Sequence, residues 1–88
     1  MQVEFLSQFN RDLDKIQAGH IKQAIYRVIL RTESAKRISD IPNLKKLAGH
    51  KSAYRIRIGE YRVGVFVEGK TVEFARVVHR KDIYKLFP

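Results

Sequence analysis

Four arginines raise the chemical question. Arg55 and Arg57 sit two residues apart in YRIRIGEYRVGVFV, Arg62 follows in the same stretch, and Arg80 stands in HRKDIYKLFP between His79 and Tyr84. On a strand, residues two apart share a face. A guanidinium stays protonated and matches phosphate oxygens in pairs, so several on one face suit a phosphodiester. An RNA substrate would bring its own nucleophile, the 2′-hydroxyl beside the scissile phosphate. The protein would then hold the backbone in line, neutralise charge on the phosphoryl oxygens and move two protons. Tyr84 and His79 are candidates for the protons, and aromatic rings stack on unpaired bases. Taken singly, each residue has a blander reading. A strand arginine is usually solvated, a tail tyrosine usually packed, and His79 and His50 are ordinary surface residues. Their combination on one face is what points to chemistry.

Several other chemistries lack their residues. There is no Gly-rich dinucleotide fingerprint, P-loop or His-Glu-x-x-His motif, and no cysteine. His20, His50 and His79 are too scattered to argue a metal site, and no carboxylate pair suggests glycosidase chemistry. No metal or cofactor is expected.

The formal net charge of +9 is uneven along the 88 residues. Residues 1–44 hold 7 Lys/Arg against 5 Asp/Glu, and residues 45–88 hold 11 against 4. Solubilising charge usually mixes signs. A basic half therefore predicts a polyanionic partner, either nucleic acid or an acidic protein, and less readily a membrane surface. The length suits one domain, residues 1–88, and 44% hydrophobic residues predict a folded chain. No apolar run approaches membrane-spanning length, no basic-then-apolar leader opens the chain, and the missing cysteines agree with a cytoplasmic protein.

The elements that must position these residues follow from periodicity. MQVEFL predicts a strand, edge or central, and Ser7 a helix cap. Phe9, Leu13 and Ile16 recur at helical spacing, and Ala18-Gly19 predicts the end of that helix. Ile21, Ala24, Ile25, Val28 and Ile29 form the stripe of a second helix, and the short link implies a helical hairpin. Ile38, Ile41, Leu44 and Leu47 predict a helical turn before a loop at Pro42-Asn43. From Lys45 the pattern is β.

Gly59-Glu60 reads as a two-residue hairpin loop. It sets Ile58 opposite Tyr61, Arg57 opposite Arg62 and Ile56 opposite Val63. One face then carries Tyr54, Ile56, Ile58, Tyr61, Val63, Val65 and Val67. The other carries Arg55, Arg57 and Arg62, with Gly64 opening space beside them. After a turn at residues 68–70, a third strand would put Val72, Phe74 and Val78 on the apolar face. It would put Glu73, Ala75, Val77 and His79 with the arginines. Arg76 then falls on the helix side, at an edge or paired with a helix carboxylate. The basic tail would wall a groove over the arginines.

LKKLAGHKSAYRIRIGEYRVGVFV and VEFARVVHRKDIYKLF, with FNRDLDKI in the first helix, resemble the RelE/ParE superfamily of toxins from type II toxin–antitoxin modules. The resemblance covers nearly the whole chain. It implies an α+β fold in the order β-α-α-β-β-β, a helical hairpin on a small antiparallel sheet. Five positions match the RelE branch: basic residues at Arg55 and Arg57, the phosphate-stabilising arginine at Arg62, Arg80 after the last strand, and Tyr84 in the tail. That branch cuts mRNA in the ribosomal A site by 2′-hydroxyl attack, leaving a 2′,3′-cyclic phosphate. The resemblance therefore implies an endoribonuclease with ribosome and mRNA as partners, and an acidic cognate antitoxin. Lysines are usual in RelE where this chain has Arg55 and Arg57. An arginine is a poor general base, so His79 or His50 becomes the candidate. Lys45, Lys46, His50, Lys51, Lys81 and Lys85 are the expected RNA contacts. Two other readings stay open. One is a ParE-like toxin that inhibits DNA gyrase without cutting RNA. The other is a basic module that binds only an antitoxin or nucleic acid.

Overall fold

A computed structural model describes residues 1–88. The elements are β1 (Gln2–Phe5), α1 (Ser7–Lys15), α2 (Gly19–Ser34), a 3-10 turn (Ile38–Asp40), β2 (Leu44–Lys46), β3 (Ala53–Ile58), β4 (Tyr61–Glu68), β5 (Thr71–His79) and α3 (Ile83–Leu86). The strands form one sheet in the order β1-β5-β4-β3-β2. β1 lies parallel to β5, and the other pairs are antiparallel. The predicted three-stranded sheet is thus extended by an edge strand on each side. β2, at three residues, is too short for alternation to reveal.

The helical stripes seat where the periodicity puts them. Phe9 and Ile16 of the first segment and Ile25 of α2 are buried, while Leu13, Ile21, Ala24, Val28 and Ile29 pack around them. The sheet answers with Ile56, Ile58, Val63, Val65, Val72, Phe74 and Val77. Two boundaries differ from expectation. Ser7 lies inside α1 and makes no capping bond, because Leu6 occupies the cap position. α1 stops at Lys15, and Gly19 opens α2 rather than closing α1. The helical turn before Pro42-Asn43 is present, and Asn43 takes a left-handed φ of 61°.

The β3–β4 hairpin has the predicted register, with Ile58 opposite Tyr61, Arg57 opposite Arg62 and Ile56 opposite Val63. Gly59, at φ 56°, supplies the positive backbone angle that a two-residue loop needs in first position. The third strand departs from expectation after Phe74. Val65 pairs with Phe74 but Gly64 pairs with Arg76, so Ala75 is an extra residue. Such a bulge shifts the alternation by one. Val77 therefore enters the helix-side core opposite Val63, and Val78 comes to lie opposite Arg62 on the other face. His79 pairs with Tyr61 on the helix side and leaves the arginine face. Arg76 lies opposite Gly64 instead of facing the helices.

Arg76 does find a helix carboxylate. β1 ends at Phe5, so the outer edge of β5 is free beyond Phe74. Asp12 of α1 fills the vacancy, accepting from the Val77 backbone N–H (3.1 Å), Arg76 Nε (2.7 Å) and Nη2 (3.2 Å), and Gln8 Nε2 (3.0 Å). Asp12 is 4% exposed. Burial pushes its carboxyl up, but donation by Arg76, Gln8 and Val77 outweighs this and holds it below the ordinary aspartate range.

Candidate functional site

The sheet's second face carries the basic residues. Arg55 and Arg57 project from β3, Arg62 from β4 and Lys45 from β2, opposite Arg55. Like charges opposed across strands repel. Part of the repulsion is relieved locally. Arg62 Nη1 donates to the carbonyls of Gly59 and Tyr61, both at 2.9 Å. Arg80 Nε lies 2.8 Å from Glu60 Oε2, and its backbone N–H donates to the Glu60 carbonyl at 2.8 Å.

The tail crosses this face and completes the site. Ile83 and Phe87 are buried with Ala53 and Ala75, and Phe66 packs alongside. The Phe87 ring lies over Gly64. A Cβ at residue 64 would stand 2.5 Å from Phe87 Cγ, well inside van der Waals contact. The predicted space beside the arginines is therefore the seat of the tail. Seated this way, α3 presents Tyr84 to Arg55, whose guanidinium Nη1 donates to the phenol oxygen. That hydrogen bond, then the charge of Arg55 with smaller help from Arg62 and Lys45, draws the phenol below the ordinary tyrosine range. Tyr84 is 70% exposed and so remains open to a ligand.

Three adjoining hollows result. Lys45, Arg55, Arg57 and Arg62 line the first with Asn43 and Leu44. Arg55, Arg62, Arg80, Ile83 and Tyr84 line the second. Arg57, Arg62 and Arg80 line the third with Gly59 and Glu60. Five of the six residues expected to do chemistry thus converge: Arg55, Arg57, Arg62, Arg80 and Tyr84. His79 does not. Its ring meets Tyr61 edge-on at 5.8 Å on the opposite face, and its Nδ1 accepts from the Lys81 backbone N–H.

The expected RNA contacts divide. Lys45 is on the face. Lys46 pairs with Tyr54 and so points to the helix side, a correction imposed by strand alternation. His50 and Lys51 sit in the β2–β3 loop, lining a separate hollow with Lys46. Lys81 and Lys85 are exposed on the tail, outside the three hollows. From sequence, Glu60 reads only as a turn residue and Phe87 only as part of the tail that walls the groove, not as its buried anchor. Glu60 stands two residues before Arg62 at the arginine end of the hairpin, which was the available signal.

Comparison with known proteins bears on the family and the fold. A family model described as the ParE toxin of the type II toxin–antitoxin system parDE matches residues 3–84. Toxin RelE3 of Methanocaldococcus jannaschii is 40% identical over 89 residues, covering 100% of both chains. A solved RelB–RelE antitoxin–toxin complex from Methanococcus jannaschii matches with a TM-score of 0.83 and 38% identity, over 97% of this chain and 99% of that one. The RelBE2 toxin–antitoxin complex from Mycobacterium tuberculosis matches with a TM-score of 0.72 and 26% identity, over 90% of this chain and 96% of that one. The chain belongs to the RelE/ParE superfamily, the toxins of type II toxin–antitoxin modules.

Proposed function

We propose that this toxin is a ribosome-dependent mRNA endoribonuclease that cuts in the A site by 2′-hydroxyl attack. The observation that carries the reading is the convergence of Arg55, Arg57, Arg62, Arg80 and Tyr84 around adjoining hollows. Arg62 and Arg80 neutralise the phosphoryl oxygens as charge develops, and Arg55 and Arg57 hold the flanking backbone. Tyr84, acidified by Arg55, donates a proton to the leaving 5′-oxygen. Lys45, His50, Lys51, Lys81 and Lys85 extend the polyanion contact. The similarity to RelB–RelE complexes and the net charge of +9 support an acidic antitoxin as the silencing partner. A ribosomal target places the protein in the cytoplasm, and no helix is long and apolar enough to cross a membrane.

The match to a ParE family model favours one second reading, a toxin that inhibits DNA gyrase through protein contacts. Primer extension on a reporter mRNA after brief induction separates the two. Cuts inside translated frames support the nuclease, whereas intact mRNA with DNA-damage signalling supports the gyrase poison.

A further inference from the structure

With His79 on the helix side and His50 in the separate hollow of the β2–β3 loop, neither histidine read as a candidate base lines the three hollows. Arginines stay protonated, and a lysine ammonium has no lone pair to offer. One carboxylate lines the three hollows, that of Glu60. The second and third hollows share Arg62 and Arg80. Tyr84 lies in the one and Glu60 in the other. An in-line displacement needs this separation, because nucleophile and leaving group stand on opposite sides of phosphorus while charge builds between them.

We infer that Glu60 is the catalytic base, taking the proton of the attacking 2′-hydroxyl on the flank of Arg62 and Arg80 opposite Tyr84. The inference rests on the nuclease reading above. Glu60 Oε2 is occupied by Arg80 Nε, but Oε1 has no hydrogen-bond partner in the protein and is free to accept. The pair is open to solvent, with the Glu60 side chain 63% exposed, so an incoming nucleotide reaches it without unfolding anything. Arg57 from β3, Arg62 from β4 and Arg80 beyond β5 are the charged groups facing it.

The step balances. The 2′-oxygen loses its proton to Glu60 and bonds to phosphorus, the bond from phosphorus to the 5′-oxygen breaks, and Tyr84 protonates that oxygen. The products are a 2′,3′-cyclic phosphate and a 5′-hydroxyl. Glu60 and Tyr84 then recover their starting states by exchange with water.

The test is single-turnover cleavage of ribosome-bound mRNA across pH, by wild type, Glu60→Gln and Tyr84→Phe. Each is run on ordinary mRNA and on mRNA whose scissile 5′-bridging oxygen is replaced by sulfur. A thiolate leaves without a proton, so the second substrate no longer needs the acid. Glu60→Gln should slow cleavage of both substrates by about a hundredfold or more and abolish the acid limb of the rate profile. Tyr84→Phe should be slow on ordinary mRNA and largely restored by sulfur. Glu60→Gln also removes the charge that pairs with Arg80, so a merely positioning role would slow cleavage but leave the acid limb of the profile in place, and that result, like a wild-type rate, overturns the inference. Rescue of Glu60→Gln by sulfur also overturns it, by making Glu60 serve the leaving group. If wild type cleaves and Glu60→Gln matches it, only the base assignment falls. If wild type leaves both mRNAs intact, the nuclease reading falls with it.

Discussion

Arg62 and Arg57 face each other across the hairpin, yet they are held differently. Arg62 spends one nitrogen on two carbonyls of its own turn, which fixes its guanidinium, whereas Arg57 is exposed and without such bonds. A donor fixed before the reaction stabilises developing charge without reorganising. Arg62→Ala or Arg80→Ala should therefore slow single-turnover cleavage by roughly a hundredfold or more, the scale for losing one such donor. Ribosome binding should fall far less, because many other basic residues share the polyanion contact. Lys22→Ala on α2 is the control, and it should change neither measurement. Tyr84 provides a second residue-level test, with no nuclease assay. Its phenol owes its acidity first to Arg55, so Arg55→Ala should return its ionisation toward the ordinary tyrosine value of 10.0. Ultraviolet titration, with Tyr84→Phe to assign the signal, reads this directly. An unchanged titration in Arg55→Ala would remove the Arg55–Tyr84 contact from the account.

The C-terminal helix is the element on which the site depends. It has four residues, too few to be stable alone, so its placement comes from Ile83 and Phe87 packing on the sheet and from Gly64 beneath the ring. Arg76 Nη1 adds a long contact to the Leu86 carbonyl at 3.5 Å. Gly64→Ala should cost about 1–3 kcal/mol by overpacking against Phe87. It should cost cleavage more than stability, because the displaced tail carries Tyr84 away from Arg55. Adding Phe87→Leu, which makes room, should restore part of the loss, and the double-mutant cycle measures that coupling. Additive losses would mean that residue 64 acts by some other route. At this scale the sequence was informative where alternation is unbroken. The hairpin from Tyr54 to Val67 was legible pair by pair, because one face is apolar and Gly59 fixes the loop. The third strand was legible only to Phe74. Ala75 fits either face, so nothing in its side chain announces the bulge that moved Val77, Val78 and His79. β2 was hidden by its length. The pairing of Asp12 with Arg76 joins residues 64 apart in sequence, and only the free edge left by the short β1 explains it.

Across the whole molecule, two charge systems act separately. The inner one is the Asp12–Arg76 pair, which ties α1 to β5. Because the folded-state pKa of Asp12 lies below its ordinary value of 3.8, its contribution is present above that value and is lost as pH falls through the folded pKa. Wild type should therefore lose stability on acidification over that range. Asp12→Asn should be less stable at neutral pH and show a shallower acid dependence in denaturant titrations. Parallel acid profiles would contradict the linkage. The outer system is the basic half of the chain, 11 Lys/Arg against 4 Asp/Glu over residues 45–88. Binding of the proposed acidic antitoxin should weaken as salt rises, since exposed charge contacts are screened, and the loss should be partial if the complex also buries apolar surface. Affinity unchanged by salt would contradict the electrostatic half of that claim. If the arginine face cuts mRNA held on the ribosome, the chemistry of the new ends records it. Purified toxin is added to ribosomes stalled with a defined codon in the A site, and the mRNA fragments are analysed at both termini. A cut within that codon is expected, with a 2′,3′-cyclic phosphate on one fragment and a 5′-hydroxyl on the other. Intact mRNA at saturating toxin, or fragments ending in a 3′-hydroxyl and a 5′-phosphate, would contradict it.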